Sequence, residues 1–163
     1  MNERVLAGSD YESAGVILRF VVIVMMFAAG SFWTVPAQAQ ITDAKVAAFV
    51  EALRLSAPNT GIPNDGLYSD WKIKWENIVR WSKRCTGTEM EPADFEANDR
   101  KAREILACIM GKILREQYEI SKDESIAVRR AASWWMTGDP DQYDSQQTRP
   151  YTQKVLDFYK RAL

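Results

Sequence analysis

The chain has 163 residues with 21 Lys+Arg against 22 Asp+Glu, no histidine and two cysteines. Without histidine there is no haem ligation through imidazole, no common zinc site, and no Ser/His/Asp or Cys/His nucleophile system. The near-zero net charge argues against nucleic acid, which needs cations gathered in a patch, and against a surface held on anionic lipid by charge.

Met1 to Arg19 is polar and mixed in charge, and Phe20 to Ala29 then runs without a charged residue. Counted from Val16 to Phe32 the apolar run is interrupted by Arg19, and it falls short of the roughly 20 residues that a spanning helix needs. It closes on Val35-Pro36-Ala37-Gln38-Ala39, where the small residues Ala37 and Ala39 fit a signal-peptidase site. Residues 1–39 therefore read as a signal peptide cleaved after Ala39, or as an uncleaved anchor that leaves the same domain on the same side. Only in the second case would the chain touch a membrane. The expected location is the periplasm, a thylakoid lumen or the extracellular space.

Removing 39 residues from 163 leaves 124, residues 40–163, enough for one domain. Arg4 and Arg19 with Glu3, Asp10 and Glu12 leave with the leader, so 21 less 2 basic residues face 22 less 3 acidic ones and the remainder is neutral. Thr42 or Asp43 caps a first helix to about Ser56, with Val46, Phe49, Val50 and Leu53 at helical spacing. The turn formers from Ala57 to Gly66 end it. Asn64-Asp65-Gly66 lacks the alternating carboxylates and closing glutamate of a calcium loop and reads as a turn.

A second helix is expected from a Ser69 cap, with Trp71, Trp75, Ile78, Val79 and Cys85 within one half of its wheel and Trp81 at the margin. Its three tryptophans suit the filling of a small core better than an aromatic pocket. Thr86-Gly87 stops it, and Pro92 opens a short helix that breaks at Asn98-Asp99.

The central helix runs from Asp99 to Ile120. Ala102, Ile105, Leu106, Ile109, Met110, Ile113 and Leu114 cover an arc of about 200°, too broad for a single neighbour. Cys108 lies on its polar side. Ser121-Lys122-Asp123-Glu124 reads as a capping box, opening a helix to about Met136 in which Arg129, Arg130 and Ser133 form a narrow wet strip. Gly138 and Pro140 stop that helix, a polar loop follows to Arg149, and Pro150 opens a last helix with Tyr151, Val155, Phe158, Tyr159 and Ala162 inward. No stretch alternates long enough to predict a sheet. The expected fold is all-α: one compact domain of five to six unequal helices behind the signal segment.

An exported chain with two cysteines predicts a Cys85–Cys108 disulfide. A straight helix from Pro92 would leave the two about 24 Å apart, so the segment after Cys85 must fold back over the central helix. Neither residue has CxxC spacing or another soft ligand nearby, and no metal or cofactor is expected.

Thr148-Arg149-Pro150-Tyr151-Thr152-Gln153-Lys154-Val155-Leu156-Asp157-Phe158-Tyr159 resembles the closing helix of lytic transglycosylases and related lysozyme-fold proteins, T-x-x-Y-x-x-x-V-L-x-x-Y. Gly66-Leu67-Tyr68 and Asn77-Ile78 stand in the order of that family's "GLMQ" and "NI" elements. The similarity covers about a third of residues 40–163. It implies a peptidoglycan-acting protein whose acid would be Glu51, although Ala52 follows where the family has serine. From the residues alone, Glu51 is a solvated position on the first helix. Two functional expectations stand: a non-catalytic interaction or accessory domain, meeting a protein partner through Trp134, Trp135, Tyr143 and Tyr151, or a lysozyme-like protein, active or inactive.

Overall fold

A computed structural model describes residues 40–62 and 65–163; the expected leader and its expected cleavage site lie outside them. Among the described residues the elements are α1 (Asp43–Ser56), β1 (Leu67–Tyr68), β2 (Ile73–Lys74), α2 (Trp75–Thr86), α3 (Pro92–Ala97), α4 (Asp99–Ser121), α5 (Glu124–Thr137), a 3-10 helix (Pro140–Asp144) and α6 (Arg149–Ala162). The fold is mostly helical, as expected. No helix among these is long and apolar enough to cross a membrane.

The wide apolar arc of α4 is matched by its neighbours: it packs against α1, α2, α3 and α5, while α6 lies on α1 and α5. Ala102, Ile105, Leu106, Ile109, Met110 and Leu114 are buried, and Ile113 is half-buried. Gly111 lets α1 come close, since a Cβ there would sit 3.2 Å from Val46 Cγ1.

Local signals set most boundaries. Thr42 Oγ1 accepts from the Lys45 amide at 3.3 Å, and Asn98, in a non-helical conformation, ends α3 and accepts from the Lys101 amide at 3.0 Å to start α4. Gly87 and Gly138 close α2 and α5 in the left-handed region, at φ 80° and 83°.

Several expectations are corrected. The second helix does not start at Ser69. Residues 67–74 form a small antiparallel hairpin, pairing Leu67 with Lys74 and Tyr68 with Ile73, and α2 begins at Trp75 with no side-chain cap. Trp71 is thus in the turn rather than on the wheel, because its indole N–H donates to Val50 O at 2.8 Å and that distant contact overrides helical periodicity. Trp81, expected at the margin, is 7% exposed, whereas Trp75, in the first turn of α2, is 52% exposed. The capping box is also displaced: Asp123 caps α5, accepting from the Ile126 amide at 2.9 Å, while Ser121 ends α4 and donates to Gln117 O. Ser133 is not wet but buried, its hydroxyl donating to Asp139 O at 2.7 Å. On α6, Val155 and Tyr159 are buried with Thr152 and Leu156, but Phe158 is half-buried and Ala162 exposed.

The segment after Cys85 does fold back. Cys85 on α2 and Cys108 on α4 are joined at disulfide geometry, their Cα atoms 6.2 Å apart. The outward direction of Cys108 is what turns it toward α2.

Candidate functional site

One concavity among the described residues is built on aromatic rings. Consecutive residues on a helix diverge by about 100°, so Trp134 and Trp135 in the last turn of α5 splay around Trp81 from α2. The Trp81 ring centroid is 5.7 Å from that of Trp135, tilted 37°, and 6.5 Å from that of Trp134, inclined 27°. The Trp71 hairpin closes one side and Tyr151, in the first turn of α6, another. Together they bound a cleft of about 530 Å³, within the usual size of ligand sites.

Its polar lining is uneven in sign. Lys72, Lys74 and Arg80 border it with Asn77, and no aspartate or glutamate does. Arg80 Nη2 donates to Asn77 Oδ1 at 2.7 Å. Ser56, at the end of α1, also lines the cleft; it is 3% exposed and its hydroxyl has no hydrogen-bond partner among the described residues. Burial pushes the Tyr151 phenol above its ordinary range.

Three of the four residues expected to form a contact surface, Trp134, Trp135 and Tyr151, therefore meet in one cleft. Tyr143 is not among its lining residues. Its ring lies beneath the guanidinium groups of Arg129 and Arg130, 5.1 and 5.7 Å from their Cζ atoms, and its carbonyl accepts from Thr152 Oγ1 at 2.8 Å. That is a role in fastening the 3-10 helix to α5 and α6. Sequence reasoning missed Ser56, Lys72, Lys74 and Arg80. A neutral total conceals a local excess, and no spacing rule joins the hairpin to α2 and α5.

Glu51 has a different setting and does not line the cleft. Its carboxylate accepts from Arg54 Nη2 at 2.6 Å and from Arg103 Nη1 at 2.8 Å. The Arg54 hydrogen bond, aided by Arg103 and opposed by desolvation, holds its pKa at about 2. A general acid for glycoside cleavage needs the opposite shift. Because Glu51 titrates lower in the fold than its ordinary value near 4.5, its pairing stabilises the fold above that pH and the contribution is lost as pH falls toward 2. Urea midpoints of Glu51→Gln are accordingly expected to lie below those of the parent at pH 7, with the gap closing by about pH 2; a gap that does not change with pH would contradict the pairing.

No group of three or more Cys, Asp and Glu among the described residues is arranged to hold a metal ion. No protein-family model matches this chain, and no curated protein or solved structure is significantly similar to it.

Proposed function

We propose that residues 40–163 are a non-catalytic interaction or accessory domain that works in an extracytoplasmic compartment and meets its partner in the tryptophan cleft. The observation that carries this reading is the cleft itself: Trp81, Trp134, Trp135 and Tyr151 converge on one concavity, where aromatic rings supply large contact area at small entropic cost. The paired cysteines and the apolar leader support the location. The glycan-cleaving alternative rests on the tail-helix likeness, and its nearest acid is Glu51, held ionised by two arginines.

The test is a benzoylphenylalanine photocrosslinker placed at Met136, on the cleft and 50% exposed, or at Ile120, 60% exposed and not among its lining residues. After irradiation in cells, mass spectrometry is expected to find an adduct at position 136 and none at 120. Equal adducts at both positions, or none at either, would overturn the reading. So would a protein that clears a peptidoglycan suspension and loses that activity in Glu51→Gln.

A further inference from the structure

The positive charge beside the cleft continues past it. A second crevice shares Arg80, Trp81 and Trp134 with the cleft and is bordered by Arg84, Lys112 and a single acid, Glu116. Salt bridges elsewhere on the described surface pair eleven basic residues with carboxylates, among them Arg54, Arg103, Arg115, Arg129 and Arg130. Lys72, Lys74, Arg80, Arg84 and Lys112 have no such partner among the described residues. Five cations gathered with only Glu116, and Asp65 near Lys72, as counter-charge repel one another, so this arrangement favours a bound anion.

One further feature bears on what the site encloses. Trp81, Trp134 and Trp135 are buried or half-buried around a concavity rather than protruding, which suits an enclosed molecule better than insertion into a bilayer.

Resting on the reading of the cleft as the binding element, we infer that its ligand is a free amphipathic organic anion. A planar apolar body lies against Trp81 and Trp135, and an acidic group is held by Lys74 and Arg80. A neutral sugar fits less well, because the lining offers its hydroxyls no carboxylate acceptor.

The test uses the full chain, anilinonaphthalene sulfonate as the probe, and phenylnaphthylamine as its neutral counterpart lacking the sulfonate. Energy transfer from tryptophan to the sulfonate probe is expected to saturate at one site. The neutral probe should bind at least tenfold more weakly. Lys74→Gln/Arg80→Gln should weaken the sulfonate at least tenfold and leave the neutral probe and the unfolding midpoint unchanged.

Equal affinity for both probes, or indifference to Lys74→Gln/Arg80→Gln, would overturn the proposal. Sedimentation with phosphatidylcholine vesicles that rises with added phosphatidylglycerol, and falls in the same double variant, would overturn it in favour of a membrane surface. If the sulfonate fails to bind while crosslinking at Met136 still gives an adduct, the ligand class is wrong and the cleft reading survives. Failure of both removes the cleft reading as well.

Discussion

Reduction of the Cys85–Cys108 bridge is expected to lower the midpoint of thermal unfolding by about 10 to 15 °C. The link spans a sequence separation of 23, and closing a loop of that length restricts the unfolded chain by roughly 3 kcal/mol. In a domain of this size each kilocalorie moves the midpoint by roughly 3 to 5 °C. The folded state has little reason to resist the bond, since α2 and α4 are already packed together and Cys85 is half-buried. Calorimetry with and without reductant measures the shift. Cys85→Ala/Cys108→Ala should unfold near the reduced parent and be indifferent to reductant. A parent that unfolds at the same temperature in both conditions would show that the bridge restricts nothing.

Replacing Trp71 with alanine should cost more. Its ring is 2% exposed, and truncating a buried aromatic side chain costs about 3 to 5 kcal/mol through lost transfer energy and the cavity left behind. Two specific contacts vanish with it: the N–H donated to Val50 O, and the Arg103 guanidinium carried 5.0 Å from the ring centroid. Trp71→Phe separates the terms. It keeps most of the buried area and leaves Val50 O without its indole donor, for a loss of about 1 to 3 kcal/mol. Urea titration at constant m-value is the measurement, with Trp71→Ala expected to have the lower midpoint of the two. A loss below about 1 kcal/mol for the alanine variant would mean that the hairpin is not anchored to α1 through this ring.

Where the sequence allowed a correct reading, the cause was local. Thr42, Gly87, Pro92, Asn98, Gly138 and Pro150 each act within one turn of their own position, and together they give the order of the helices and a number of five to six, against six observed among the described residues. The breadth of the apolar arc around Ile105 and Met110 correctly made α4 central. The cysteine pairing also followed, because the chain has only two cysteines and the break at Asn98-Asp99 lets the outward-facing Cys108 meet Cys85. The failures share a cause as well. Trp71 is set by a carbonyl 21 residues away, which no helical wheel contains, and a strand of two residues is too short to alternate. Asp123 displaced Ser121 as cap because Lys122 takes the left-handed conformation at φ 54° and ends α4 there. The cleft was half-visible. Trp134, Trp135 and Tyr151 were named from composition near Gly138, but Ser56, Lys74 and Arg80 come from three other segments, and only the tertiary fold joins them to those rings.

The sulfur link between α2 and α4 also changes the topology of the molecule. From Cys85 through α3 to Cys108 the backbone and the two sulfurs form a closed covalent circuit, with the rest of the chain as two tails. A single peptide break inside that circuit, for instance between Gly87 and Glu89 where the chain is exposed, leaves both pieces on one molecule. A protease that nicks this turn releases no fragment, and the halves can part only once the bridge is reduced.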